Sequence, residues 1–205
     1  SCRLLAINLL SYVNDPFTPE AKFDFYKFRT HVDKAMRMMD DIIDLELEKV
    51  EQIIRKIVED PEDEDIRRVE LELWKKIRTM AQKGRRTGLG ITAEGDMLAA
   101  LGLRYGTDEA IAFAVEVQKT LALAAYGASV GMAAERGAFP VYDARREQDN
   151  PMIARIREAD PALYERMVRD GRRNIAMLTI APTGTTSLMS QTTSGIEPVF
   201  RTVYK

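Results

Sequence analysis

The stretch from Asn174 to Pro198 constrains the fold most, because it reads as a strand, a tight turn and a helix in direct succession. Its apolar residues, Ile175 to Ile180, have the length and residue types of a buried strand. The turn at 181–187 (Ala-Pro-Thr-Gly-Thr-Thr-Ser) is rich in hydroxyl groups, and a short helix is predicted from Leu188. Unpaired N–H groups and the positive dipole end at a helix start suit a phosphate. The same residues also fit a plain loop whose Thr and Ser side chains cap the helix.

Helical periodicity dominates the rest of the chain. Thr18-Pro19-Glu20 predicts a helix start, and apolar residues continue at three- and four-residue spacing from Phe28 to Ile57. Trp74, in the next helix, is expected to anchor the core. Further helices are predicted at residues 65–82, 93–101, 107–134, 150–158 and 160–170. Residues 1–13 fit either a strand or a short helix, and a final strand is predicted at 196–204. Long helices between short β-prone runs predict an α/β or barrel architecture.

Composition excludes several classes of protein. The 205 residues are 45% hydrophobic and 30% charged, as in globular rather than disordered chains. A net charge of −2 argues against binding nucleic acid through bulk charge. No apolar run approaches the roughly 20 residues of a membrane span. The N-terminus has neither an initiating Met nor the basic region of a signal peptide, and is expected to begin in mid-sequence.

Few residues of the chain are candidates for metal or redox chemistry. Cys2 is the only cysteine and His31 the only histidine, so neither an internal disulfide framework nor a His-rich metal site is expected, and the cytoplasm is the default location. The glycines of Gly88-Leu89-Gly90 lack the G-x-G-x-x-G context and are expected to allow close backbone packing. An acidic run is interpreted as a solvated helix face rather than a metal site: Asp40, Asp41, Asp44, Glu46 and Glu48.

Three segments resemble the large, catalytic subunit of ribonucleotide reductases. They are SCRLLAINL at 1–9, RRTGLGITAEGDMLAALGLRYG at 85–106, and NIAMLTIAPTGTTSLMSQTTSGIEPVF at 174–200. The segments stand in the family's order and span nearly the whole chain. Ala-Pro-Thr-Gly-Thr and Ser-Gly-Ile-Glu-Pro-Val-Phe are most similar to the adenosylcobalamin-dependent (class II) enzymes.

The resemblance implies a fold and an activity. The implied fold class is α/β, with residues 1–205 forming part of a ten-stranded α/β barrel. This part is the second half-barrel, helix-rich with short buried strands and with no separate domain boundary. The implied activity is an oxidoreductase that converts ribonucleotides, expected to be diphosphates, to deoxyribonucleotides by thiyl-radical chemistry, for DNA synthesis.

Site residues, cofactor and partners also follow from the resemblance. Cys2 falls where the family has one member of its redox cysteine pair. The implied phosphate-binding residues are Ala181, Pro182, Thr183, Gly184, Thr185, Thr186 and Ser187, and no residue is assigned to a metal. The implied cofactor is adenosylcobalamin, bound mainly by or with the missing part of the enzyme. The implied partners are a ribonucleotide, the N-terminal half of the catalytic subunit, a thioredoxin- or glutaredoxin-type reductant and a second copy in a homodimer. Neither nucleic acid nor membrane is expected.

The chain also departs from the family pattern. The Asn-x-Cys-x-Glu loop that carries the thiyl cysteine is absent, so the chain is expected to be inactive alone. Ala93-Glu94 stands where Gly-Leu is expected. Two alternatives stay open. One is a class I large-subunit fragment that uses a metal-radical partner subunit, although class I chains read Ala-Pro-Met-Pro-Thr-Ala-Ser at the turn. The other is a non-catalytic nucleotide-binding or assembly module.

Overall fold

The computed structural model of the protein describes residues 3–199 and residue 201. Within this part of the chain the strands are β1 (Leu4–Asn8), β2 (Val13–Asn14), β3 (Lys22–Phe23) and β4 (Gly88–Thr92). The α-helices there are α1 (Phe25–Glu59), α2 (Glu64–Gly84), α3 (Glu94–Ala100), α4 (Asp108–Arg136), α5 (Pro151–Ala159), α6 (Pro161–Asp170) and α7 (Gly184–Ser190), with 3-10 helices at Leu9–Tyr12 and Ala144–Glu147. The structure is therefore a helix-rich α/β fold with short strands, as predicted. The described strands form two two-stranded sheets and do not close a barrel.

The described residues group into two compact units, each built from separate stretches of the chain. The first unit takes its residues from 1–36, 88–128 and 177–205, and the second takes its residues from 37–87 and 129–176. The prediction that residues 1–205 are one part of a single barrel domain stays a prediction.

An aromatic cluster forms one end of the first unit's core. The Tyr12 and Phe28 rings are 5.1 Å apart and nearly perpendicular, and Phe23 and Phe28 meet in the same way at 5.4 Å. Phe113 of α4 joins the cluster through Phe23, at 6.0 Å. Edge-to-face pairs of this kind add about 0.5–1.5 kcal/mol to the burial of the rings. The cluster fixes the chain where it enters α1.

The predicted start of α1 is wrong. The helix begins at Phe25, where Asp24 caps it by accepting a hydrogen bond from the Lys27 N–H at 2.8 Å. Thr18 instead lies in an exposed turn, with its hydroxyl donating to the Asp15 carbonyl at 2.7 Å. Strand β3, which pairs with β2 in a short hairpin, occupies the chain between the two candidate caps.

The other helices follow the prediction closely. Asp63 caps α2 by accepting from the Asp65 N–H at 2.9 Å. Asn150 and Asp160 cap α5 and α6 in the same way, each with Pro in the first turn. Trp74, the expected core anchor of α2, is only half-buried.

A buried carboxylate organises the second unit. Asp40 is fully buried, and its Oδ1 accepts from Arg85 Nε at 2.8 Å and from Asn174 Nδ2 at 2.9 Å. Its Oδ2 accepts from Arg173 Nε at 3.2 Å. Burial alone raises the pKa of Asp40, but these donors outweigh that effect and hold the pKa below its ordinary value. The interpretation of the acidic run as a solvated face is therefore wrong for Asp40, although Asp41 and Glu48 are exposed.

Two predicted strands are absent from the described residues. Residues 175–180 make a single parallel bridge, Leu178 to Leu89, and do not form a continuous strand. Residues 196–199 are irregular, in keeping with Pro198, which has no N–H to give to a ladder. The remainder of the predicted strand at 196–204 lies largely outside the described residues.

Candidate functional site

β4 is the central strand of the candidate site. It pairs in parallel with β1, in a register that places Leu4 opposite Gly88 and Asn8 opposite Thr92. On its other side, Leu89 N–H donates to the Met177 carbonyl at 2.7 Å, and Leu89 carbonyl accepts from the Thr179 N–H at 2.9 Å. All five residues of β4 are buried. The three segments that resemble the ribonucleotide reductase family are thus neighbours in space.

Gly88 and Gly90 allow this close packing, as the sequence predicted. A Cβ atom at Gly90 would lie far inside van der Waals contact of the Thr179 carbonyl oxygen. One at Gly88 would lie 2.8 Å from the Leu4 Cδ2 atom and 3.0 Å from the Arg3 carbonyl oxygen. Any larger residue at these two positions would therefore push the neighbouring segments away from β4.

The hydroxyl-rich turn begins its helix earlier than predicted. α7 begins at Gly184 rather than Leu188, so Thr185, Thr186 and Ser187 form its first turn. Thr183 precedes the helix with a φ of 54°, a left-handed conformation, and makes no side-chain cap bond. Among the described residues, no backbone hydrogen bond outside the helix is donated by the N–H groups of 184–186. Gly184, Thr185 and Thr186 are all exposed residues.

The remaining two hydroxyls of the turn point inward. Ser187 is buried, and its Oγ donates to the Gly184 carbonyl at 2.8 Å and lies 2.7 Å from Ser194 Oγ. Thr183 Oγ1 accepts from the Gly195 N–H at 2.7 Å. These two side chains hold the turn in shape, while Thr185 and Thr186 are open to solvent.

Thr92, at the end of β4, joins the turn to the Ser194-Gly195 loop. Its Oγ1 lies 3.0 Å from Thr183 Oγ1, donates to the Thr193 carbonyl at 3.1 Å and accepts from the Gly195 N–H at 3.3 Å. Asp96 adds a second attachment, because its Oδ2 accepts from the Thr193 N–H at 2.6 Å. Sequence reasoning singled out none of these supporting residues. The sequence signal that could have found them is a polar residue at a strand end, Thr92, and an acidic residue in the first turn of a helix, Asp96.

Glu94 is a buried carboxylate beside this network. Burial raises its pKa above the ordinary value, and a hydrogen bond from Gln118 Nε2, at 3.4 Å, offsets this only in part. Ala93 before it has a φ of 64°, in the left-handed region that glycine occupies without strain. Ala93 therefore replaces the expected glycine at a position where the backbone conformation still favours glycine.

A cleft of about 80 Å³ opens where the three segments meet. Its lining comes from β1, from β4 and from the residues that lead into α7: Leu4, Leu5, Ala6, Gly88, Gly90, Ile91, Thr179, Ala181, Thr183 and Thr186. Of the seven predicted phosphate-binding residues, Ala181, Thr183 and Thr186 line it. Cys2 lies outside the described residues, two positions before Leu4 in the chain.

The described residues hold no cluster of three or more His, Cys, Asp or Glu side chains that could bind a metal ion. No helix in this part of the chain is both long and apolar enough to span a bilayer.

Comparison with known proteins extends over the whole chain. A family model described as the ribonucleotide reductase barrel domain matches residues 1–205. The vitamin B12-dependent ribonucleoside-diphosphate reductase of Mycobacterium tuberculosis is 30% identical over 201 residues, which cover 98% of this chain and 22% of that protein. The protein of that name from Thermoplasma acidophilum is 32% identical over 201 residues, covering 98% of this chain and 20% of its own.

A relative that is named without reference to vitamin B12 is more distant. Ribonucleoside-diphosphate reductase subunit alpha of Chlamydia pneumoniae is 24% identical over 222 residues, covering 99% of this chain and 18% of that protein. The chain therefore spans about a fifth of the length of these curated relatives.

Proposed function

We propose that this chain, which belongs to the ribonucleotide reductase barrel-domain family, supplies the substrate-phosphate site and one redox cysteine of a larger enzyme that converts ribonucleoside diphosphates to deoxyribonucleotides. The cleft formed by residues 4–6, 88–91 and 179–186 carries the proposal. It gathers on one surface all three segments that resemble the family. The relatives are named ribonucleoside-diphosphate reductases, which supports a diphosphate substrate.

Neutral donors bind the phosphates in this proposal. Gly184, Thr185 and Thr186 are exposed, and Thr186 lines the cleft. In the proposal, the donors are their N–H groups and the two threonine hydroxyls. Hydrogen bonds to charged groups are worth about 1.5–3 kcal/mol each. No Lys or Arg lies between 181 and 187, so backbone and hydroxyl dipoles provide the attraction. Ala181 and Pro182 position this turn, and the hydrogen-bonded hydroxyls of Thr183 and Ser187 keep its shape.

Cys2 is one member of the redox pair in the proposal. Two thiols that form a disulfide release two electrons and two protons. These replace the ribose 2′ C–O bond with C–H and form water from the lost hydroxyl. Since Cys2 is the only cysteine of the chain, the second thiol comes from the rest of the larger polypeptide. A thioredoxin- or glutaredoxin-type dithiol then restores both by exchange.

The cleft suits part of a nucleotide and not a whole corrin cofactor. Pockets for drug-sized ligands occupy roughly 300–1,000 Å³, whereas this cleft has about 80 Å³. Two relatives are named as vitamin B12-dependent enzymes, so we assign adenosylcobalamin to the larger enzyme. It supplies the radical there, and the described residues of this chain bind the substrate.

The remaining parts of the proposal concern the assembly. Residues 1–205 serve as the second half-barrel of one domain and are inactive without the N-terminal half of the catalytic subunit. The complete protein forms a homodimer and acts in the cytoplasm, where dithiol reductants keep cysteine pairs reduced.

The complete polypeptide that carries this chain tests the phosphate site. Thr185→Val and Thr186→Val each remove one exposed hydroxyl, and we expect KM for the nucleoside diphosphate to rise about ten-fold per hydroxyl. Thr120→Val, which removes an exposed hydroxyl on α4, is the matched control. Unchanged KM values in both turn variants would contradict the phosphate assignment.

Cys2→Ser tests the redox role separately. We expect multiple turnover with a dithiol reductant to be lost while nucleotide binding stays unchanged. Turnover at the wild-type rate would show that Cys2 is not in the redox pair.

Similarity to a subunit alpha protein keeps the class I alternative open. A requirement for a second, metal-bearing subunit instead of adenosylcobalamin would favour it. Nucleotide binding without reduction by the complete polypeptide, with either radical source, would favour a non-catalytic module.

A further inference from the structure

The first turn of α3 packs tightly against the chain at 193–197. A Cβ atom at Gly95 would lie 2.8 Å from the Glu197 carbonyl oxygen and 3.2 Å from Thr193 Oγ1, so a larger residue there would push the two segments apart. The Ala93 N–H adds a backbone bond by donating to the Thr193 carbonyl at 3.1 Å. This part of the chain is therefore held against the residues that begin α3.

Asp96 makes a reciprocal contact between the same two segments. Its Oδ2 accepts from the Thr193 N–H at 2.6 Å, and its own N–H donates to Thr193 Oγ1 at 3.3 Å. An acidic residue in the first turn of a helix commonly serves that helix, through its dipole or its N–H groups. Asp96 instead accepts from a residue 97 positions away, so its carboxylate anchors the loop that contains Thr193.

The anchored loop contacts both hydroxyls that shape the phosphate turn. The Gly195 N–H donates to Thr183 Oγ1 at 2.7 Å, and Ser194 Oγ lies 2.7 Å from Ser187 Oγ. Thr183 and Ser187 flank the three residues that carry the phosphate donors in the proposed function. The left-handed conformation of Thr183 needs such support, because a β-branched residue adopts it only where the surroundings hold it. A hydrogen-bonded path therefore leads from Asp96 to both ends of the donor segment.

We propose that Asp96 is a positioning residue for the substrate phosphates. It holds the loop at 193–195, and the loop holds the N–H groups and hydroxyls of 184–186 in the geometry that binds phosphate. Asp96 acts through the loop and not by contact with the substrate, since a carboxylate beside a phosphate would repel it. This inference rests on the proposed function, because it takes the turn at 181–187 as the phosphate site.

The complete polypeptide that carries this chain tests the role through the split between KM and kcat. In Asp96→Ala the loop loses its anchor, and we expect KM for the nucleoside diphosphate to rise about ten-fold while kcat stays within about two-fold of wild type. Asp96→Asn keeps an acceptor oxygen for the Thr193 N–H and should recover most of the wild-type KM. Asp108→Ala, which removes an exposed acidic residue from the first turn of α4, is the matched control.

Two further measurements separate positioning from a general loss of stability. Inorganic pyrophosphate, used as a competitive inhibitor, should bind more weakly to Asp96→Ala by the same factor as the nucleotide. In a double-mutant cycle, Thr185→Val should raise KM less in the Asp96→Ala background than in wild type, because the loosened turn already uses that hydroxyl poorly. If Asp96→Ala does not fold, Asp96→Glu carries the same tests, since it keeps the charge but displaces the carboxylate.

The outcomes distinguish a failure of this inference from a failure of the phosphate site. An unchanged KM in Asp96→Ala, while Thr185→Val and Thr186→Val raise KM, would overturn the role of Asp96 alone. A fall in kcat with unchanged KM would also overturn it, as would KM effects of Asp96→Ala and Thr185→Val that multiply independently. If neither threonine variant raises KM, the phosphate site itself is wrong, and the role of Asp96 falls with it.

Discussion

Thr92 determines how the hydroxyl-rich turn is held against β4. Its side chain is 1% exposed, and its hydroxyl contacts Thr183, Thr193 and Gly195. Thr92→Val keeps the volume but removes the buried hydroxyl that bonds to all three groups. We expect the free energy of unfolding to fall by about 1–3 kcal/mol, measured by urea denaturation. KM for the nucleotide should rise in the complete polypeptide as the turn loosens.

Thr92→Ser is the matched control, because it keeps the hydroxyl and should preserve most of the wild-type KM. A valine variant with wild-type stability and KM would show that the turn holds its shape without this residue.

Glu94 makes stability depend on pH. Burial raises its pKa in the folded protein, so folding favours the protonated acid. Its contribution to stability is fully present below the unfolded pKa, about 4.3, and is lost as pH rises through the folded value. The Gln side chain of Glu94→Gln is uncharged at every pH. We therefore expect its midpoint of urea unfolding to be higher than that of wild type at pH 7 and to differ little from it at pH 4. Equal differences at both pH values would contradict this account.

Residues that support the site could not be predicted from the sequence. The partners of Thr92 and Asp96 in this network lie about a hundred positions away along the chain. No local sequence pattern indicates a hydrogen bond between residues so far apart in the chain. Gly88 and Gly90 were predictable in role, because glycine in a strand already indicates a close backbone approach.

At the scale of elements, local signals located most helices and misplaced the starts of α1 and α7. The helix starts at Asn150 and Asp160 were predicted correctly because a cap bonds only to the next few residues. Thr18 carries an equally good signal, but the hairpin and the aromatic cluster place the start of α1 at Phe25. The strand predicted at 175–180 failed for a related reason, since a ladder needs a partner and only Leu89 provides a bridge.

The cap of α1 is testable by substitution. Asp24→Ala removes the acceptor for the Lys27 N–H, and we expect it to cost about 1 kcal/mol of stability. Thr18→Ala removes side-chain bonds in an exposed turn only and should cost less. Thermal unfolding followed by circular dichroism measures both. A larger loss for Thr18→Ala would place the functional helix start upstream of Phe25.

At the scale of the whole molecule, family membership was predictable and the division into two units was not. Three segments in the family's order identified the barrel family, which the match over residues 1–205 confirms. The two units interleave five stretches of chain, and no change of composition marks where one gives way to the other. The buried role of Asp40 escaped prediction for the same reason, because Arg173 and Asn174 lie more than 130 positions from it.

Asp40 ties together distant parts of the second unit, so its loss should affect the unit as a whole. Asp40→Asn leaves Arg85 and Arg173 without their buried carboxylate, and breaking a buried ion pair costs about 3–5 kcal/mol. Asp41→Asn is the control, because Asp41 pairs with Arg136 at 2.7 Å on the surface, where such a pair is worth about 0.2–1 kcal/mol.

The stabilisation by Asp40 should also depend on pH. The pKa of Asp40 is lowered in the folded protein, so its contribution to stability is present above the unfolded pKa of about 3.9 and is lost as pH falls through the folded pKa. Urea unfolding at pH 7 should therefore separate the two variants widely, and the gap between wild type and Asp40→Asn should narrow in acid. A constant gap down to the acid transition would mean that Asp40 stabilises the unit by packing and not by charge.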